Sequence, residues 1–542
     1  MRLPVLLCVA VSLCAAASPE ENKSCADLRR FYTGKGFTLE GVPQTEISGE
    51  QLRMCPQGQT CCTSSMEERL ANLSAKETEG QIRKAGRSLQ TTLNTLRTSF
   101  RSFFTDLHGL SEGSLEQVLT PLGALYSQNT RLYTDLYADL YLYYQGSSLS
   151  LDESLSDFWS RLLERQFKIS ANTDASLSED YLECVAKQQE TLRPFGDVSR
   201  DMKAKVIRAY VTARSFVQAL SISEEVVNKV LNQVSLGPEC LKALMKLVYC
   251  SHCHGLSSVK PCFNYCSNVM KGCLANQADL NPEWDNLIDT MIEVVSSFSA
   301  EPSLEAVLSS IPARIYEAVH YLQENMNTFT STVYRTCGSL EESGRGSPAL
   351  HEQKTKSSPL TALEYKPSQT AELRLKAQMV DLIKQLKVMH QYWVKLPVEL
   401  CKKVAAGESN QDKCWNGNTK ARYLPEVMGD GLANQINNPE VELDITKPDM
   451  NIRQQIMQLK IMSSKLKNAL DGNDVDFQDA SDDISGSGSG VCSGGLCALS
   501  RPGLYTFTPD NKPVGGSAPQ RSALSLLLLL LLSPVTVLLL QR

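Results

Sequence analysis

From about Glu67 onward, apolar residues recur every three or four positions, the period of an amphipathic helix. Phe100, Phe103, Phe104 and Leu107 share one face, and Leu132, Leu136 and Leu140 repeat at every fourth residue with Tyr133, Tyr137 and Tyr141 alongside. Phe158, Leu162 and Leu163 continue the pattern in a further helix. Val206, Tyr210, Ala213, Val217 and Leu220 step by four and three. Leu375, Met379, Leu382, Leu386, Met389 and Trp393 do the same over five turns, and Ile452, Ile456, Leu459, Leu466 and Leu470 form the last such face. Convincing strand alternation is scarce, so the pattern predicts an all-α fold. The spacing alone accounts for the aromatic stripes, which read as helix core rather than as a ligand groove.

Three stretches have no such period. Cys25–Cys62 is cysteine-rich and punctuated by Gly34, Gly36, Pro43 and Pro56, which mark loops. Ser339–Gln369 is polar and rich in Ser, Glu, Lys and Gly, and reads as a disordered loop inside the folded body. From about Gly472 the chain reads as a flexible stalk, because nothing there offers a face to bury.

That stalk carries most of the candidate chemistry. Six aspartates lie from Asp471 to Asp483 with no Lys or Arg among them, and they equal the whole formal charge of −6. Behind them come Ser485-Gly486, Ser487-Gly488 and Ser489-Gly490. An accessible Ser beside Gly in an acidic setting is the acceptor pattern of a glycosaminoglycan-initiating transferase; a plain Gly/Ser linker is the competing reading. The rest of the chain sums to zero charge, so no net basic field points to nucleic acid.

The two ends place the chain in a cellular context. Met1–Ala17 reads as a secretory signal, with Arg2, an apolar run Leu3–Val11 and small residues before Ser18. At the other end, Ala523–Leu540 is mostly apolar, is interrupted by Pro534 and is followed only by Gln541 and Arg542. Upstream lie Gly515, Gly516 and Ser517, then a short spacer. Small triplet, spacer and apolar terminus form a glycosylphosphatidylinositol (GPI) signal, with Gly515 or Gly516 as the attachment residue; a short spanning helix is the alternative. The expected organisation is a signal over 1–17, a core over 18–471, a stalk over 472–515 and a removed propeptide over 516–542.

Of eighteen cysteines, Cys8 and Cys14 leave with the signal, and an even sixteen remain. In a secreted chain these predict a disulfide framework whose pairing spacing cannot give. Cys250-Ser251-His252-Cys253-His254 has the spacing of a c-type haem attachment and the Cys/His density of a zinc site. Neither suits an oxidising compartment crowded with other cysteines, so disulfides are expected there and no cofactor or metal. The six histidines form no recognisable nucleophile–base pattern, and no phosphate loop or nucleophile elbow occurs, which argues against an enzyme. Asn22-Lys23-Ser24 and Asn72-Leu73-Ser74 are N-glycosylation sequons, with Asn72 the better placed.

Several irregular strings resemble those of the glypicans, the lipid-anchored heparan sulfate proteoglycans. They are Ile47-Ser48-Gly49-Glu50, Gln59-Thr60-Cys61-Cys62, Gly272-Cys273-Leu274-Ala275-Asn276-Gln277 and the long run from Arg422 to Gln435. The fourteen cysteines from Cys25 to Cys414 complete the resemblance, which runs along essentially the whole chain. It implies an elongated, all-α, disulfide-stapled body with a cysteine-rich lobe. It implies the bridges Cys25–Cys61, Cys55–Cys250, Cys62–Cys253, Cys184–Cys337, Cys240–Cys273, Cys262–Cys414 and Cys266–Cys401. Cys492 and Cys497 fall outside that set. It further implies heparan sulfate on Ser485, Ser487 and Ser489 and a monomeric core held by its GPI anchor on the outer leaflet, with a shed fraction besides. The implied partners are heparin-binding growth factors and morphogens of the fibroblast growth factor, Wnt, Hedgehog and bone morphogenetic protein classes, presented to signalling receptors. A GPI-anchored binder acting without glycan is the alternative.

Overall fold

The computed structural model describes residues 24–170, 178–338, 369–407 and 411–474. Fourteen helices of nine or more residues account for most of them. They are α1 (Ala26–Gly34), α2 (Ser64–Gly113), α3 (Thr130–Gln145), α4 (Leu151–Ser170), α5 (Glu179–Leu192), α6 (Val198–Val227), α7 (Pro238–Val248), α8 (Phe263–Cys273), α9 (Asn281–Ser297), α10 (Leu304–Glu324), α11 (Met326–Cys337), α12 (Gln369–Val388), α13 (Tyr392–Val404) and α14 (Met450–Leu470). The described strands are only β1 (Ile47–Ser48) and β2 (Gln59–Thr60), an antiparallel pair with Ile47 opposite Thr60. The all-α expectation therefore holds.

Helix α2 is the axis of the fold. The Thr63 side chain caps it by accepting from the Met66 N–H at 3.3 Å, and its fifty residues run for about 75 Å at ~1.5 Å each. Its apolar stripe runs through Leu70, Ile82, Leu89, Leu93, Leu96, Phe100 and Phe104, all buried. Helix α6 packs against both α2 and α14, α9 lies against α14, and α10 packs against α2 and α6. Three rings mark the centre: Phe100 meets Phe216 edge-on at 4.8 Å and stacks on Phe298 at 5.2 Å. At Gly86 a widened turn at Asn228–Asn232 comes so close that an added Cβ would lie 2.8 Å from Leu231 Cβ.

One helical reading needs correction. The apolar period from Leu375 to Trp393 does not belong to a single helix, because α12 ends at Val388 and α13 starts at Tyr392. Gln391 between them is left-handed (φ 57°), and its N–H donates to Asp285 Oδ1 at 2.8 Å. His390 lies beside the same α9 carboxylates, 2.8 Å from Asp289 and 3.4 Å from Asp285. Both Met389 and Trp393 are still buried, which is why the apolar spacing crosses the break unchanged.

Candidate functional site at the tail root and the cysteine-rich lobe

Seven disulfides staple the body. Six of them, Cys25–Cys61, Cys55–Cys250, Cys62–Cys253, Cys240–Cys273, Cys262–Cys414 and Cys266–Cys401, tie α1, the β1–β2 hairpin, α7, α8 and α13 into one lobe. The seventh, Cys184–Cys337, stands apart and joins α5 to α11. These are the pairs that the family resemblance implies. Cys250 and Cys253 are consumed by Cys55 and Cys62, so the Cys-x-x-Cys-His string has no thiolate to offer zinc or haem. His252 instead packs on Phe31 at 4.3 Å, and burial together with the Lys35 charge pushes its basicity down. His254 stacks on Trp415 and is likewise lowered by burial. Among the described residues no cluster of His, Cys, Asp and Glu is arranged to hold a metal ion.

Two buried polar residues organise the lobe, and neither was legible as such in the sequence. Glu67, on the first turn of α2, accepts from three consecutive backbone N–H groups: Arg53, Met54 and Cys55. Asn268 on α8 is fully buried and pins the long irregular run. Its Nδ2 donates to Tyr423 Oη (3.0 Å) and to the Glu426 carbonyl (2.8 Å), its Oδ1 accepts from the Met428 N–H (2.8 Å), and its carbonyl accepts from Asn438 (2.9 Å). Gly431 in the same run has φ +85°, and an added Cβ would lie 2.7 Å from Asp279 Oδ1. That oxygen already accepts from the Leu432 N–H at 3.0 Å, so the position requires glycine.

The tail does not leave the body at Gly472, as its composition suggests. Past α14 the chain turns back, with Gly472 N–H donating to the Ala469 carbonyl and Asn473 N–H to that of Asn468. Thr212 on α6 donates to the Ala469 carbonyl at 2.9 Å. Two residues further on, Tyr143 Oη donates to Asp474 Oδ1 at 2.5 Å. The Arg214 guanidinium lies over the Tyr143 ring, 4.5 Å from its centroid, and its Nη1 donates to the Ser147 carbonyl at 2.9 Å. Burial and the Asp474 carboxylate push the Tyr143 phenol well above its ordinary pKa, so it stays a donor. The end of α3 and the middle of α6 thus form a collar that fixes the tail's root at Asp474, eleven residues before Ser485.

Ser485, Ser487 and Ser489, Gly515 and Gly516, Asn22, Cys492 and Cys497, and the signal segment 1–17 lie outside the described residues. So does the internal loop, apart from Gln369, which opens α12. Asn72 is exposed on α2, with its Nδ2 donating to the Glu68 carbonyl at 3.0 Å. Its sequon partner Ser74 is buried and donates to the Ala71 carbonyl at 2.8 Å. Among the described residues no helix is long and apolar enough to cross a membrane.

The model of the glypican family matches residues 5–523. The chain belongs to the glypican family. Its members are the core proteins of cell-surface heparan sulfate proteoglycans. Among its relatives, glypican-1 of Gallus gallus is 52% identical over 495 residues, covering 91% of this chain and 88% of that protein. Glypican-1 of Homo sapiens is 48% identical, covering 95% and 92%. A crystal structure of C-terminally truncated glypican-1 superposes with a TM-score of 0.74 at 48% identity, covering 84% of this chain and all of that one. The Dally-like protein in complex with O-palmitoleoyl serine superposes at 0.65 with 28% identity, covering 84% of this chain and all of that one.

Proposed function

We propose that this glypican is a GPI-anchored co-receptor whose heparan sulfate captures heparin-binding growth factors and morphogens and presents them to signalling receptors. The ligand classes are fibroblast growth factors, Wnt and Hedgehog proteins and bone morphogenetic proteins. The observation that carries the reading is the acidic Ser-Gly run eleven residues beyond a fixed root on a glypican body. Glycan on Ser485, Ser487 and Ser489 lays sulfates and carboxylates along that run. Basic ligands then bind by charge, and salt weakens the binding. Several chains on one tail add avidity. Anchorage through Gly515 or Gly516 confines capture to the outer leaflet, and Asn72 presents an N-glycan on the open side of α2.

The test is a gel of cell-surface protein before and after heparinase, with the triple Ser485, Ser487 and Ser489→Ala variant alongside. A high-mass smear that collapses with enzyme and is missing from the variant supports the proposal. A sharp core-sized band in every lane overturns it.

A second reading is favoured by the Dally-like protein, which has been crystallised with a lipid-modified serine. On that reading the helical body holds ligand without glycan. Undiminished ligand capture by the triple alanine variant would establish it.

A further inference from the structure

The middle of α2 is free of acid. Residues 80–105 hold Arg83, Lys84, Arg87, Arg97 and Arg101 and no Asp or Glu, in a chain whose net charge is −6. Lys84, Arg87, Thr91, Asn94, Thr98 and Arg101 are all exposed and follow one another at steps of three and four, so they form a stripe along one face of the helix. From Lys84 to Arg101 the stripe is about 26 Å long. The other exposed residues from 84 to 102 are Ser88, Thr95, Ser99 and Ser102, so no apolar side chain stands out along it.

Three of its cations keep their charge for a ligand. Arg83 pairs with Glu79 at 2.9 Å and Arg97 with Glu224 at 3.3 Å, whereas Lys84, Arg87 and Arg101 join no carboxylate among the described residues. Lys84 and Arg87 mark one end of the stripe and Arg101 the other, about 21 Å beyond Arg87. Between them the hydroxyls of Thr91, Thr95 and Thr98 each donate to the carbonyl four residues earlier, at 2.9, 2.8 and 2.7 Å. Their proton is engaged, so their oxygens remain on the surface as acceptors. At the Arg101 end the stripe runs into a cleft of about 410 Å³, lined by Thr98, Arg101, Ser102 and Asp106 on α2 and by Tyr141 and Gln145 on α3.

We propose that this face of α2 binds a linear sulfated polysaccharide carried by another molecule. Sulfates meet Lys84, Arg87 and Arg101, and sugar hydroxyl and amide donors meet the threonine oxygens between them. A straight row of spaced cations matches an extended polyanion whose charges also repeat along a line. A protein partner fits less well, because protein interfaces centre on an apolar core and this stripe has none. A lipid surface fits less well for the same reason, since nothing apolar is there to enter it. A bare polyphosphate has no donors to offer the threonines. The body then binds polysaccharide whether or not its own tail carries any.

The test titrates the full-length chain with Ser485, Ser487 and Ser489→Ala, so that any glycan on the tail is absent, against a heparin-derived octasaccharide at physiological salt. Arg87→Ala with Arg101→Ala should weaken binding about ten-fold. Arg131→Ala with Arg161→Ala removes the same charge from exposed positions on α3 and α4 and should leave binding unchanged. Thr91→Val with Thr98→Val should weaken the octasaccharide about three-fold and leave inorganic polyphosphate unaffected. Matching thermal melts show that each variant is folded. No binding of the octasaccharide, or equal loss in the two arginine pairs, overturns the site. Polyphosphate binding as tight as that of the octasaccharide overturns the assignment to a saccharide. Vesicles of phosphatidylserine that bind through Arg87 and Arg101 while the octasaccharide does not would give the stripe to a membrane and sink the proposal.

Discussion

Glu67 Oε1 accepts the backbone N–H of Cys55 at 2.6 Å, so a helix carboxylate fixes the loop that carries one half of the Cys55–Cys250 bridge. The carboxylate is 2% exposed, and its two oxygens serve three donors.

Glu67→Ala leaves three loop N–H groups without their acceptor. We expect a loss of about 1–3 kcal/mol and lower secretion, because an unsatisfied buried donor costs its desolvation. Glu67→Gln should recover part of it, since one amide oxygen remains to accept. Denaturant unfolding checks the size, and peptide mapping of the Cys55–Cys250 pair checks the pairing.

Asn268→Leu removes the hub of the Arg422–Gln435 run without removing volume. The expected cost is again about 1–3 kcal/mol, from the Met428 N–H and its neighbours left unpaired. Limited proteolysis should open that run first, and an unchanged digestion pattern would show that the disulfides alone hold it.

His108 is buried on α2 with Nδ1 2.7 Å from Tyr210 Oη, and burial pushes it down to about 4 from 6.5. The unfolded chain takes up this proton near pH 6.5 and the folded chain only near 4. Between those values the unfolded state binds more protons, so stability falls as pH drops through that window and the effect is complete below it. The loss amounts to at most about 3 kcal/mol. Melts of wild type and His108→Gln from pH 7 to 4 should converge on acidification; parallel curves would show that other groups dominate.

Cys184–Cys337 is the bridge whose two cysteines are both half-buried, and it lies away from the other six. A limiting dose of phosphine should therefore expose Cys184 and Cys337 to alkylation before any lobe cysteine, with the helical signal retained. First labelling inside the lobe would contradict this.

Tyr143→Phe removes one hydrogen bond from Asp474 while keeping the ring under Arg214. Amide protection over residues 468–474 should fall, with global stability changed by no more than about 1 kcal/mol, because the contact is local. Unchanged exchange would show that the other contacts of the root, the Thr212–Ala469 hydrogen bond among them, hold it without the Tyr143 hydroxyl.

The helices were legible because their buried faces keep a 3.6-residue period, as along α2, α6 and α14. The break at Gln391 was not, since Met389 and Trp393 keep the spacing across it and the cause is a carboxylate on α9. Glu67 and Asn268 were invisible for a related reason. A polar residue on a helix reads as solvated, and only tertiary structure brings it a backbone to hold. The pairing of Cys55 with a cysteine 195 residues away came from family resemblance, because no local rule spans that separation. Of the candidate site, the serines and the anchor rest on the sequence pattern, and the structure adds the collar at their root. Tyr143 gave no signal in a segment crowded with tyrosines.

The single span of α2 also sets a ruler. Glu67, at its lobe end, and Phe104, whose ring stacks on Tyr144 beside the collar, lie thirty-seven residues apart on one unbroken helix, or about 55 Å along its axis. A protein gripping the lobe therefore stands well clear of the place where the tail begins.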